Sequence, residues 1–269
     1  MSFEPSAAAL ALAAIASPAL AAPCVLGSGA EAVAVERALD GDTLALDDGR
    51  LVRLAGIAAP KAPLGVRPED WPIGALAREG LERRTAGRVM ELRLSKDRAV
   101  DRHGRMSGYL AEIEAQDHAG VAAEMLANGL AQASVDAAGR DCNATLALAE
   151  ARAVDARLGL WSQPYYAVQD ASDGAALAGM AGRFVVAEGR VASVRTSAGR
   201  AYINFGGRWR DALSLSLSEA ALKRFGGFEA IGAKVGAELR VRGVIVARSG
   251  PMIHVTETAQ ILRLGGRGQ

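Results

Sequence analysis

Asp40-Gly41-Asp42-Thr43, then Val52-Arg53-Leu54-Ala55-Gly56-Ile57-Ala58-Ala59-Pro60, then Asp101-Arg102-His103-Gly104-Arg105, then Gly129-Leu130-Ala131 follow one another along the chain. Asp40-Gly41 and Asp47-Asp48-Gly49 are turn chemistry between short apolar or β-branched runs at 33–38, 43–46 and 51–57, which predicts a three-stranded meander. Outward from it, Trp71-Pro72 opens a helical stretch to about Arg84, with Ile73, Leu76 and Leu81 near helical spacing and a proline suited to the first turn. Strands are expected at 88–94 and 107–113, on either side of the turn at 101–105. A short helix is expected at 121–127, and a longer one is capped by Asn143, runs to Arg157 and stops at Gly159.

The four segments in this order, followed by a helix and Gly159-Leu160-Trp161, resemble the staphylococcal-nuclease-like (thermonuclease) family, whose arrangement is DGDT, VRLxGIDxPE, D-[KR]-[YH]-GR and GLA. The resemblance covers roughly residues 31 to 162. It implies an OB-type barrel with flanking helices, acting on DNA or RNA. In active members it implies a calcium ion held by carboxylates at the positions of Asp42 and Ala58, two arginines on the scissile phosphate at Arg53 and Arg105, and a glutamate assisting the attacking water at the position of Lys61. Each role has a physical reason. Phosphodiester hydrolysis builds negative charge that metals and guanidinium forks stabilise, and the water needs a proton acceptor.

Two of these five positions depart from the pattern, since Ala58 carries no ligand atom and Lys61 carries a cation. One carboxylate, Asp42, then faces Arg53, Arg105 and Lys61. A protonated lysine has no lone pair with which to accept a proton, and the charge reversal favours anions over calcium. The reading is a phosphodiester-binding site, derived from a calcium-dependent endonuclease, in which hydrolysis is lost or greatly weakened. Two alternatives stand beside it. One is an active, calcium-using nuclease in which Glu69 or Asp70 folds back as a substitute carboxylate. The other is a non-catalytic envelope scaffold that touches no nucleic acid, which the aromatic content of 4% favours.

The polar, breaker-rich stretch at 163–178 reads as a linker. Beyond it, short strands at 184–194, 201–205, 213–217, 239–246 and 252–256, with a helix at 218–225, suggest a second small OB-like β-barrel over 179–269. The whole is thus expected to be mainly β with flanking helices. Residues 173–269 hold 14 Lys and Arg against 7 Asp and Glu, a net of +7, whereas residues 1–172 hold 17 against 23, a net of −6. A basic OB-like barrel fits a phosphate backbone. Within Arg200 to Arg210, aromatics alternate with arginines, so Tyr202, Arg208 and Trp209 join Arg102 and His103 as candidate nucleic-acid contacts. Strand alternation places Tyr202 and Asn204 on one face and Ile203 and Phe205 on the other, and one of these pairs is core.

The chain has 269 residues, half of them hydrophobic and 23% charged, which suits folded domains and excludes a disordered chain. No apolar run approaches the roughly 20 residues of a bilayer span. Ala7 to Ile15, Ser17-Pro18 and Ala19-Leu20-Ala21 form a leader-like pattern, so residues 1–21 are expected to be a signal peptide, although Glu4 and the lack of Lys or Arg before it depart from the usual leader. An alanine-rich buried helix is the other reading. Two cysteines, Cys24 and Cys142, and three scattered histidines are too few for a zinc site. In an exported chain one Cys24–Cys142 disulfide is the economical use of the pair, with two separate buried thiols as the alternative. A secreted or periplasmic location follows from the leader. No protein partner is identifiable.

Overall fold

The computed structural model describes residues 23–27, 29–96, 100–135, 137–247 and 249–264. The expected leader at 1–21 lies outside the described residues. The meander forms as expected, from β1 (Ala30–Ala38), β2 (Thr43–Leu46) and β3 (Leu51–Leu54). After Gly56 the chain breaks away into a two-residue strand, β4 (Ile57–Ala58), so the run at 51–57 is two elements rather than one. Helix α1 (Pro72–Thr85) starts with its proline in the first turn, where no amide partner is needed. β5 (Val89–Leu94) and β6 (Arg105–Ala111) close a barrel in the order β1-β2-β3-β6-β5. Its interior is filled by Leu44, Val52, Leu54, Leu92 and Leu110, all essentially without solvent contact.

α2 (Gly120–Ala127) and α3 (Asn143–Asp155) flank the barrel, and β7 (Gln132–Ala133) between them pairs antiparallel with β4. The glycines of the two Gly-Leu segments have a common cause. A Cβ on Gly129 would lie 2.2 Å from the Leu158 carbonyl oxygen, and one on Gly159 would lie 2.2 Å from that of Gly129. Both also hold positive φ, 64° and 53°, so the backbones cross where no side chain fits. Cys24 and Cys142 are bonded, with their Cα atoms 5.3 Å apart. The bond ties the segment before β1 to the start of α3.

Where a linker is expected, the chain is ordered and packed. Residues 163–178 contain a 3-10 turn at Pro164–Tyr166, β8 (Gln169–Asp170) and α4 (Gly174–Ala178), whose first amides are capped by Asp173. β8 pairs with β9 (Phe184–Arg190), and Ala171 is fully buried, so the stretch belongs to the second β system. That system adds β10 (Ser193–Ser197), β11 (Arg200–Asn204), β12 (Ser214–Ser218), β13 (Glu238–Ala247), β14 (Pro251–His254) and β15 (Ile261–Arg263), with α5 (Glu219–Arg224) and α6 (Gly227–Ala230) after β12. Its eight strands run β10-β11-β12-β14-β13-β9-β8, with β15 also on β13. The path of pairings is open, in contrast to the closed ring of the first barrel.

The two β systems share a third hydrophobic cluster. Ile73 of α1, Val154 of α3, Leu160, Trp161 and Val186 of β9 are buried together, with Trp71, Tyr166 and Phe184 against them. Arg240 of β13 bridges Asp155 of α3 (3.0 Å) and Glu188 of β9 (2.6 Å). Among the described residues, no helix is long and apolar enough to cross a membrane.

Candidate phosphodiester site

The turn between β1 and β2 is built to hold Asp42 inward. Asp40 Oδ1 accepts the Asp42 amide at 2.9 Å, and the Leu39 amide donates to the Thr43 carbonyl at 2.8 Å. A Cβ on Gly41 would come within 2.6 Å of the Ala77 Cβ and 2.8 Å of the Ala59 Cβ. The missing side chain therefore lets the turn lie against α1 and the segment after β4. Asp42 is fully buried. Its Oδ2 accepts the Ala59 amide at 2.9 Å, and its Oδ1 accepts the Thr43 hydroxyl at 3.0 Å.

Lys61 reaches the same carboxylate. Its Nζ lies 2.5 Å from Asp40 Oδ2 and 3.4 Å from Asp42 Oδ1. Burial, then the neighbouring Asp40 charge, push the Asp42 carboxyl above its ordinary value, although Lys61 and the Ala59 amide oppose them. For Asp40, partial burial acts upward but is outweighed by the hydrogen bonds from Lys61 and the Asp42 amide and by the Lys61 charge, so its carboxyl lies below the usual range.

Arg53 and Arg105 are brought together by register. Arg53 of β3 stands opposite Thr43 of β2 on one side and Ser107 of β6 on the other, while Arg105 stands opposite Leu51. Residues two apart on adjacent strands share a face, so both arginines and Thr43 lie on one side of the barrel wall. Arg105 donates to Thr43 Oγ1 at 3.1 Å and, through Nε, to Asp101 Oδ2 at 2.8 Å. The Arg105 side-chain bond to Asp101, the Arg105 and His103 amides and the Arg105 charge hold the Asp101 carboxyl well below the usual range. Thr43 links the halves of the site: it donates to Asp42 and accepts from Arg105. Once Asp40 and Asp101 are included, three carboxylates face three cations.

Ala58 is half-buried in β4 opposite Gln132 and offers no ligand atom. A hard cation takes six to eight oxygen ligands. Here the carboxylate that would bind it is filled by a hydroxyl, an amide and an ammonium, and a second carboxylate is paired with that same ammonium. The donor set does not fit calcium, and among the described residues no group of three or more His, Cys, Asp or Glu side chains forms a metal-sized cluster.

Glu69 and Asp70 lie in an exposed 3-10 turn at Pro68–Asp70. Both are engaged by Arg67, which makes a two-pronged contact to Asp70 at 2.8 and 3.0 Å and lies 3.5 Å from Glu69. Arg102 and His103 occupy the exposed tip of the turn before β6, which Asp101 organises by accepting the His103 amide at 2.8 Å. Tyr202 lies on β11 and Arg208 and Trp209 on the loop before β12, so they belong to the second β system.

Sequence reasoning missed four residues here. Asp40 and Thr43 sit inside the quoted segment, where the sequence shows only turn chemistry for Asp40 and the start of a strand for Thr43. Glu150 and Arg242 lie far apart in the chain, yet they brace the strand behind the site. Glu150 accepts the Ala133 amide at 2.6 Å and binds Arg242, which also donates to the Ala133 carbonyl at 3.2 Å. Ala133 pairs with Ile57 in the β4–β7 ladder that leads into Ala59. A carboxylate within the apolar pattern of α3 was the signal available for Glu150.

Residues 51–163 match the family model described as staphylococcal nuclease homologue. No curated protein matches the chain. A closed five-stranded barrel, a DGDT turn against its wall and paired arginines on adjacent strands agree with that match, and residues 51–163 belong to a staphylococcal-nuclease-like domain.

Proposed function

We propose that the first barrel binds phosphodiester groups of DNA or RNA without calcium and hydrolyses them weakly or not at all. The observation that carries this reading is the Lys61 ammonium on Asp42 and Asp40, where calcium-dependent chemistry would require a cation and a proton-accepting carboxylate. Arg53 and Arg105 supply planar donors for phosphate oxygens. Lys61 neutralises the carboxylates that would otherwise repel the anion. Loss of a general base alone costs about 10²–10⁴ in rate. The Cys24–Cys142 bond supports an oxidising compartment, secreted or periplasmic.

The test is hydrolysis of heat-denatured DNA by the purified protein, with calcium and with chelator, beside the Ala58→Asp, Lys61→Glu double variant. The expected result is calcium-dependent cutting by the double variant and little or none by the natural protein. Calcium-dependent cutting by the natural protein would overturn the reading. Glu69→Gln and Asp70→Asn would then identify the substitute carboxylate.

A further inference from the structure

The second β system carries a polar sheet face, exposed at Arg195 and His254, half-buried at Tyr202 and buried at Ser216, Asn204 and Ser214, that the first barrel's chemistry leaves unused. Arg195 of β10 is opposite Tyr202 of β11, Tyr202 is opposite Ser216 of β12, and Ser216 is opposite His254 of β14. Directly opposed residues point to the same face, so these four form one straight row across four strands. At roughly 4.8 Å per strand the row spans about 14 Å. Ala201, Ile203, Leu215, Leu217 and Ile253 face the other way, into the core. The alternation places Tyr202 on the outward side and Ile203 inside.

The polar side of this face is organised. Arg195 lies over the Tyr202 ring, 5.0 Å from its centroid. Arg200, in the next row, donates through Nε to Ser216 Oγ at 2.8 Å, which fixes its guanidinium against the sheet. Below them, Asn204 joins Ser193 and Ser214 by bonds of 2.9 Å. Among the described residues neither Arg195 nor Arg200 is paired with a carboxylate, unlike Arg50, Arg67, Arg105, Arg240 and Arg242. The loop carrying Trp209 and Arg210 is anchored near the start of β14, since a Cβ on Gly250 would lie 2.7 Å from the Trp209 carbonyl oxygen. Arg210 lies over the Trp209 ring at 5.0 Å.

We infer that this face is a second nucleic-acid site, specific for single strands. Uncompensated guanidiniums hold a phosphate backbone, and rings backed by cations offer stacking surfaces that only unpaired bases can reach. An acidic peptide would use the arginines but would gain nothing from the rings. The site lies on a different β system from Arg53 and Arg105, so the two can be separated by mutation.

The experiment is fluorescence anisotropy of labelled oligothymidylate titrated with the full chain, at several salt concentrations. It compares Tyr202→Leu, Tyr202→Phe, the Arg195→Gln, Arg200→Gln pair and the Arg53→Gln, Arg105→Gln pair, each checked for an unchanged melting transition. Tyr202→Leu should weaken binding about five- to a hundred-fold, as for loss of one base–aromatic stack, and Tyr202→Phe should retain it. Losing Arg195 and Arg200 should weaken binding and lower the slope of log affinity against log salt by about 1.4, the value for two single-strand phosphate contacts. Binding unchanged in the Tyr202→Leu and Arg195/Arg200 variants would overturn the proposal, as would heparin or an acidic peptide displacing the oligonucleotide with no dependence on Tyr202. If only the Arg53/Arg105 pair removes binding, the first barrel alone is the nucleic-acid site.

Discussion

Arg242 of β13 and Glu150 of α3 form an ion pair with essentially no solvent contact, and both also bond the backbone of Ala133. The second β system thereby reaches into the first and grips the short strand paired with β4. Removing either partner strands the other charge in the interior, which typically costs 3–5 kcal/mol. We expect Glu150→Ala or Arg242→Ala to lower unfolding free energy by about that much, measured by urea denaturation. Glu150→Leu with Arg242→Met should cost markedly less than either single change.

The Cys24–Cys142 bond closes a separation of 118 residues. In the chain-entropy account such a closure stabilises by about 4–5 kcal/mol. Cys24→Ser with Cys142→Ser, or reduction of the natural protein, should lower the melting temperature. The shift should be absent when reductant is added to the double variant.

Gly41 has room for no side chain, with Ala77 and Ala59 inside contact distance. Gly41→Ala should destabilise by about 1–3 kcal/mol, the usual cost of forcing an extra group into a packed interior. It should also displace the turn that aims Asp42, so phosphate-competed binding should weaken by more than folding does. Gly49→Ala, at φ 85° with open space around it, measures positive-φ strain alone, a cost that Gly41 does not carry.

The carboxyls of the site should titrate in a fixed order. By carbon-detected NMR, Asp42 should take up its proton above the ordinary aspartate value of 3.8, and Asp40 and Asp101 should do so below it. The linkage has opposite signs. Asp40 and Asp101 contribute stability that is present above 3.8 and is lost as pH falls through their folded-state values. Asp42 favours the fold when protonated, and that contribution is lost as pH rises through its raised value. Lys61→Ala should move Asp40 and Asp42 upward together and leave Asp101 in place.

Much of this was legible in the chain. Turn chemistry at Asp40-Gly41 and Asp47-Asp48-Gly49, with short apolar runs between, is local information, and it produced β1, β2 and β3 where expected. The departures at Ala58 and Lys61 were also visible, because a missing oxygen or an added ammonium is a property of the residue alone. The order of segments is what places Asp42, Arg53 and Arg105 against the pattern of the family that the sequence resembles.

What the sequence by itself determined is therefore the list of chemical groups and the local elements that carry them. Only the tertiary structure decided which charges cancel. Lys61 looked like an added anion contact, yet its Nζ is engaged by Asp40 and Asp42, and Arg105 is shared between Asp101 and Thr43. Likewise the stretch at 163–178 looked like a linker, but pairing of Gln169–Asp170 with β9 made it part of a sheet. Glu150 and Arg242, 92 residues apart, met only through the docking of the two β systems. The physical reason is common to all of them. Electrostatic and hydrogen-bond energies depend on separations of a few ångströms and on the water excluded from them, and those are set by packing between segments distant in the chain.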